Sequence, residues 1–131
     1  MSPLFLLDTS ICVAVLRNQA RLDKLPHPSQ TGIPAIVAAE LWVGVEKNQK
    51  THPQKGPHLA AFLALFQIVD FTHDAARHYA EIRAALEGAG KSIGPFDLLI
   101  AAQARAIGAT LVTANVSEFK RVSGLQLLAW K

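Results

Sequence analysis

Short apolar runs alternate along the chain with longer segments in which apolar residues recur at helical spacing. Runs of this length that end at polar or proline-containing turns predict strands. The predicted strands are Pro3–Leu7, Thr31–Ile33, Ile68–Phe71, Thr110–Thr113 and Leu125–Leu128. Because strands and helices alternate, we expect an α/β sandwich with a short, mainly parallel sheet flanked by helices.

The intervening segments carry helix start and stop signals such as Pro34 at a first position and Gly108 after a last one. The predicted helices are Ser10–Asn18, Arg21–Leu25, Ala35–Lys47, Leu59–Phe66, a helix from Thr72 or His73 to Glu87, Pro95–Ile107 and the turn Ser117–Lys120. The polar segment Asn48–Pro57 contains two prolines and a glycine, and it is predicted to be a mobile loop.

Three carboxylates stand alone in apolar surroundings. The only charged side chains in residues 1–16, 25–45 and 92–104 are Asp8, Glu40 and Asp97, respectively. Burying a carboxylate without a partner is costly, so these acids either meet around a cation or find local hydrogen bonds. There are alternatives to a shared cation: Asp8 could simply cap a helix, Asp97 could complement a helix dipole, and Glu40 could lie on a face that is open to solvent.

The predicted sheet brings these acids toward one edge. Asp8 follows the first strand, Asn115 follows the fourth, and Glu40 lies about two turns into the helix after the second strand. Ligands in such folds collect beyond the carboxyl ends of the strands. Carboxylate oxygens are the ligands that Mg²⁺ and Mn²⁺ prefer, and these ions promote phosphodiester cleavage. Zinc is disfavoured, because the five histidines lack ligand spacing.

Composition and charge limit the class of protein. The length of 131 residues predicts a single domain, 1–131, and no apolar run reaches the roughly 18 residues of a membrane span. The start of the chain lacks the features of a signal peptide, and the lone Cys12 reads as a small buried hydrophobe, so we expect a cytoplasmic protein. If four of the ten acids bind metal, six remain against 13 basic residues, which is compatible with a nucleic-acid partner.

Four segments resemble the motifs of PIN-domain proteins in order and in spacing. They are Phe5–Ser10, Ala39–Gly44, Ile93–Ala102, and Leu111–Phe119 followed by Val122–Leu125 and Trp130. The whole chain is similar in length and motif order to VapC toxins of type II toxin–antitoxin systems. The resemblance implies a PIN-like three-layer sandwich and an endoribonuclease that depends on Mg²⁺ or Mn²⁺ and cleaves structured RNA such as tRNA or rRNA.

Site residues follow from the resemblance by position. Asp8, Glu40 and Asp97 would be the core metal ligands, and Glu118 the fourth acid. The hydroxyls of Thr9 and Thr113 and the amide of Asn115 would support a ligand or the metal. A cation-activated water would attack the phosphorus, with no covalent nucleophile.

One departure from the family pattern leaves an alternative open. Many relatives carry an aspartate at the position of Asn115, and a neutral amide would weaken or abolish a second metal site. The alternative function is a catalytically weak PIN-like module that binds RNA or an antitoxin without cutting.

The resemblance also implies a VapB-type antitoxin and a homodimer. Arg17 and Lys91 are candidate RNA contacts, with Lys47, Lys50 and Lys55 as a possible basic rim. The predicted helix Leu59–Phe66 is apolar on nearly every face, which fits either burial within the monomer or contact with a partner.

Three rival classes fit the sequence poorly. A haloacid-dehalogenase-type phosphatase needs a second aspartate where Ser10 stands. A receiver domain needs an adjacent acidic pair near the first strand, and a nucleotide-binding enzyme needs a glycine-rich phosphate loop, and neither motif occurs.

Overall fold

The computed structural model of the protein describes residues 2–130, so the two ends of the predicted domain 1–131 lie outside the described residues. Five short strands are separated by one or two helices, in the order that the sequence predicts. In chain order they are β1 (Phe5–Leu7), α1 (Thr9–Leu16), β2 (Thr31–Pro34), α2 (Ala35–Lys47), α3 (Lys55–Leu63), β3 (Gln67–Val69), α4 (His73–Gly88), α5 (Pro95–Ile107), β4 (Thr110–Thr113), α6 (Val116–Phe119) and β5 (Gln126–Ala129).

The sheet has the order β3-β2-β1-β4-β5, and all of its paired strands run parallel. The prediction of a mainly parallel sheet flanked by helices is therefore confirmed. Central β1 pairs with both β2 and β4, and its residues Leu6 and Leu7 are completely buried. Because β1 and β4 are neighbours, the residues that follow them lie at the same edge, where the Asp8 N–H donates to the carbonyl of Val112 at 3.2 Å.

Tight packing around β2 explains its glycine. A Cβ atom at Gly32 would lie 2.9 Å from side-chain carbons of both Pro3 and Val69. Such distances are well inside van der Waals contact, so a larger residue would force the strands and the N-terminal segment apart. Gly32 thereby permits the close packing that holds β2 beside β1.

Helix α5 is the most deeply buried helix of those described, with Ile100, Ala101, Ala102 and Ala104 completely inaccessible to solvent. It ends at Gly108, which has the left-handed conformation (φ 67°) that closes helices without the strain that a Cβ would bring. The start at Pro95 and the end at Ile107 match the prediction, and they fix the position of Asp97 in the first turn.

The prediction for the third helix is wrong at both ends. Helix α3 begins at Lys55, inside the segment expected to be a loop, and it ends at Leu63 rather than Phe66. Pro57 lies in the first turn, where its missing N–H has no helical partner to lose, so it does not stop the helix. Leu59, Phe62 and Leu63 are buried within the monomer, whereas Leu65, beyond the helix, is exposed.

Smaller differences concern the connections. The predicted second helix is a 3-10 turn at Leu22–Lys24, another such turn occupies Pro28–Gln30, and β3 ends at Val69, which leaves Asp70 exposed. Cys12 is completely buried, and burial raises the pKa of its thiol, as expected for a small hydrophobe. Across residues 2–130, no helix has the length and apolar character needed to cross a membrane.

Candidate active site

Asp8 is a buried carboxylate, 3% exposed, between β1 and α1. Its Oδ1 accepts hydrogen bonds from the Ser10 hydroxyl at 2.6 Å and from the Ile11 N–H at 3.1 Å, so it caps α1. Its Oδ2 accepts from the buried hydroxyl of Thr113 at the end of β4. Burial raises the pKa of Asp8, and these hydrogen bonds oppose the rise. The capping role that the sequence left open is real, but it does not account for the contact with Thr113.

The hydroxyls around Asp8 also fix the loop between β4 and α6. Thr113 Oγ1 accepts the N–H of Asn115 at 2.8 Å, and Ser10 Oγ accepts the N–H of Ala114 at 3.3 Å. Ser10 was not among the predicted site residues. Its position could have indicated the contact, since a serine two positions after a capping aspartate can donate a hydrogen bond to that carboxylate.

Glu40 lies in the second turn of α2 and is half-buried. Its Oε1 accepts a hydrogen bond from the hydroxyl of Thr9, the first residue of α1, at 2.7 Å. This contact joins α1 to α2 and turns the carboxylate of Glu40 toward the end of β1. Thr9 and Thr113 therefore each hold an acid of the candidate site.

Asp97 lies in the first turn of α5, where Gly94 and Pro95 start the helix. Its pKa is raised to about 7, chiefly by burial, then by the contact and charge of the Glu118 carboxyl, and further by the charges of Asp8 and Glu40. An effect of this kind requires the four carboxyl groups to be close together. The carboxyl of Asp97 thus contacts that of Glu118, and the charges of Asp8 and Glu40 reach it.

The acid cluster, defined as Asp8, Glu40, Asp97 and Glu118, has the donor chemistry of a site for a hard cation. Within residues 2–130 none of its members forms a salt bridge with Lys, Arg or His. Four carboxylates, hydroxyls and the amide of Asn115 match the oxygen ligands that Mg²⁺ and Mn²⁺ prefer.

The side chains of the acid cluster do not stand in a chelating arrangement. Among the described residues, no three His, Cys, Asp or Glu side chains are placed to hold one ion together. Both oxygens of Asp8 and one of Glu40 instead accept hydrogen bonds from neighbouring hydroxyls. In its chemistry, though not in the arrangement described, this set of oxygen donors fits a divalent ion.

The basic candidates lie outside this cluster. Arg17 follows the last residue of α1, at the opposite end of that helix from Asp8, and with Lys55 it borders an apolar pocket between α1, α2 and α3. Lys91 is exposed in the segment before α5. Lys47 and Lys50 are exposed at the end of α2 and in the turn after it.

Comparison with known proteins extends over almost the whole chain. A family model described as "PIN domain" matches residues 5–125. A Rickettsia felis protein named Ribonuclease VapC2 is 40% identical, over 97% of this chain and 98% of its own length. A Shigella flexneri protein named tRNA(fMet)-specific endonuclease VapC is 35% identical, over 96% of this chain and 97% of its own.

Solved structures give the same family. The structure of VapBC2 from Rickettsia felis, bound to a DNA fragment from the promoter of the pair, aligns with a TM-score of 0.87 at 39% identity and covers 97% of this chain and 98% of that one. DNA-bound VapBC from Salmonella typhimurium aligns with a TM-score of 0.90 at 30% identity and covers both chains completely. The resemblance found in the sequence motifs is thus confirmed, and the chain belongs to the PIN domain family and, within it, to the VapC proteins.

Proposed function

We propose that the protein is a metal-dependent endoribonuclease, the toxin component of a VapBC-type toxin–antitoxin module, which cleaves structured RNA such as tRNA or rRNA. The observation that carries the proposal is the acid cluster, which gathers four carboxylates without a cationic partner among the described residues. The names of the Rickettsia and Shigella relatives, a ribonuclease and a tRNA endonuclease, support it.

Asp8, Glu40, Asp97 and Glu118 are the residues that would hold Mg²⁺ or Mn²⁺. When bound, such an ion acidifies a water and offsets the negative charge that builds on the phosphodiester. Asp97 gains most from a cation, because neighbouring negative charges contribute to the rise of its pKa to about 7. Thr9, Ser10 and Thr113 orient the carboxylates through their hydroxyls, which restricts the directions from which an ion can be bound.

Incubation of the protein with total RNA and Mg²⁺ tests the proposal. We expect discrete RNA fragments with the unmodified protein and none with Asp8→Ala or in excess EDTA. The exposed Asp70 is a matched control, since Asp70→Ala removes an aspartate outside the acid cluster. Intact RNA at excess protein, or cleavage that Asp8→Ala leaves unchanged, would overturn the assignment.

Asn115 favours a second candidate, a PIN-like module that binds RNA or an antitoxin without cutting. Its amide carries no charge, and it is exposed next to the hydrogen-bonded Thr113. Calorimetric titration with Mn²⁺ separates the two candidates from a protein without any metal site. Equal Mn²⁺ binding by the unmodified protein and Asp97→Asn would exclude the metal site, and Mn²⁺ binding without RNA cleavage would favour the module.

We further propose a VapB-type antitoxin as partner, a homodimer as assembly, a single PIN domain over residues 1–131 and a cytoplasmic location. The Rickettsia and Salmonella structures are VapBC complexes, which supports the antitoxin. An apolar pocket bordered by Arg17, Lys55 and His58 offers a surface for such a partner. Growth arrest on expression, relieved by co-expression of the neighbouring open reading frame, would be the expected result.

A further inference from the structure

A cavity of about 240 Å³ lies beside the acid cluster, between α2 and the first turn of α5. Ala39, Glu40, Val43 and Phe96 line it. Glu40 belongs both to the wall of this cavity and to the acid cluster. A molecule that reaches into the cavity therefore lies next to the group that the four acids bind.

Two large apolar side chains of the lining are open to solvent. Phe96 is 51% exposed and Val43 is 50% exposed. Phe96 is the second residue of α5, between Pro95 and Asp97, in a first turn where helices favour acidic residues. Phe96 and Val43 line the same cavity, so a bound group that covers both removes their apolar surface from water.

The charge of the cavity restricts its occupant. Among the described residues that line it, none is cationic, and Glu40 is the charged one. A phosphate or an acidic peptide would be repelled by this wall. A flat, uncharged group fits, and the N–H donors at the edge of a nucleobase can face a carboxylate while the ring stacks on an aromatic side chain.

We propose that Phe96, with Val43 beside it, is a stacking platform for an unpaired nucleobase of the RNA, next to the phosphodiester that a cation at the acid cluster would hold. The inference rests on the proposed function and refines its substrate to RNA with an unpaired base at this position. Glu40 lines the cavity and its charge acts on Asp97, so a nucleotide with its base on the ring has its phosphate directed toward the acid cluster.

Equilibrium binding of a labelled RNA hairpin in Ca²⁺, which takes oxygen ligands and offsets the charge of the acid cluster, tests the platform, with the hairpin shown to be intact after each titration. Two hairpins are compared, one with an ordinary loop and one with abasic loop nucleotides. Base stacking on a protein aromatic ring corresponds to a loss of about 5- to 150-fold in affinity on substitution by alanine. We expect Phe96→Ala to weaken binding of the ordinary hairpin by this factor, with little further effect on the abasic hairpin, and Phe96→Tyr to restore binding.

Leu65→Ala is the matched control, because Leu65 is also 50% exposed but lines a separate pocket with His58 and Phe62. It should bind both hairpins as the unmodified protein does. The platform is wrong if Phe96→Ala binds the ordinary hairpin normally. It is also wrong if Phe96→Ala changes the sedimentation coefficient, since the ring would then be a contact between copies of the chain.

The two proposals fail separately. Normal RNA binding by Phe96→Ala, in a protein that cleaves RNA with Mg²⁺, rejects the platform and leaves the nuclease. Base-dependent binding through Phe96, in a protein that never cleaves RNA with Mg²⁺ or Mn²⁺, rejects the nuclease and leaves the platform.

Discussion

The hydroxyl of Thr9 and the carboxylate of Glu40, 31 positions apart in the chain, are joined by a hydrogen bond of 2.7 Å. Thr9 is the first residue of α1, and Glu40 lies in the middle of α2. The bond holds a half-buried carboxylate at the edge of the sheet, where Asp8 follows β1. The orientation of the Glu40 carboxylate therefore depends on how α1 packs against α2.

Replacing Thr9 by valine keeps the shape of the side chain and removes the donor to Glu40. A hydrogen bond to a charged group contributes about 1.5–3 kcal/mol, and partial exposure favours the lower end, so we expect about a 10-fold loss of RNA cleavage. Thr9→Ser should retain most of the activity. Steady-state cleavage of a defined RNA at saturating Mg²⁺ measures the effect, and equal rates for Thr9→Val and the unmodified protein would show that the bond does not position Glu40.

Thr113→Val tests the other hydroxyl, which donates to the buried Asp8. Loss of the donor leaves a buried charged acceptor less satisfied, at a cost of about 1–3 kcal/mol in the free energy of unfolding. The pKa of Asp8, already raised by burial, rises further without this bond. A raised carboxyl pKa contributes stability at low pH that is lost as the pH rises through the folded-state pKa.

The deficit of Thr113→Val should therefore be larger near neutral pH than at about pH 4, where Asp8 is protonated in more molecules. Urea unfolding at the two pH values measures it, with Thr113→Ser as the variant that keeps the hydroxyl. A deficit independent of pH would mean that Thr113 acts through packing alone.

Much of the fold could be predicted from the sequence, because it depends on local signals, and the same signals place Asp8 after β1 and Asp97 in the first turn of α5. Pro95 and Gly108 bound α5 in the sequence and in the structure, and a parallel sheet brings the residue after β1 to the edge where β4 ends. The start of α3 could not be predicted in this way. Pro57 and the polar residues before it have the composition of a loop, and only the burial of Leu59 and Phe62 against the rest of the protein favours a helix.

The finer arrangement of the site depends on contacts between distant parts of the chain. From the sequence, the hydroxyls of Thr9 and Thr113 were predicted to contact a ligand or the metal. In the structure they donate hydrogen bonds to the carboxylates of Glu40 and Asp8. Nothing local to either threonine indicates a partner 31 or 105 positions away. The exposure of Phe96 is of the same kind, since an apolar residue in a helix reads as core until its surroundings are known.

Asn115→Asp should strengthen the binding of Mn²⁺. Asn115 precedes α6, which carries Glu118, so an aspartate at this exposed position adds negative charge beside the acid cluster. An added charge at close range contributes about 1 kcal/mol or more even in a watery environment, which corresponds to at least about 5-fold tighter binding. Calorimetric titration measures it, with Asn48→Asp at the end of α2 as the control, and unchanged affinity would place Asn115 outside the reach of the ion.

Asp97→Asn should make the metal-free protein more stable at alkaline pH and should reduce the rise in melting temperature that divalent ions cause. Burial and the carboxylates of Glu118, Asp8 and Glu40 raise the pKa of Asp97 to about 7, far above its usual value of 3.8. The stabilising effect of the bound proton is complete below the unfolded-state pKa and is lost as the pH rises through about 7, so the unmodified protein should lose stability relative to the variant between the unfolded-state pKa of 3.8 and the folded-state pKa of about 7. Thermal unfolding in EDTA should give similar melting temperatures at about pH 4 and a higher one for Asp97→Asn at about pH 8, whereas Asp70→Asn should follow the unmodified protein at both. Adding Mn²⁺ at the higher pH should raise the melting temperature of the unmodified protein more than that of Asp97→Asn, because the ion offsets the repulsion that the amide has already removed. If the melting temperatures of the unmodified protein and Asp97→Asn changed with pH in the same way, the pKa of Asp97 would not be raised by its burial and by the neighbouring carboxylates.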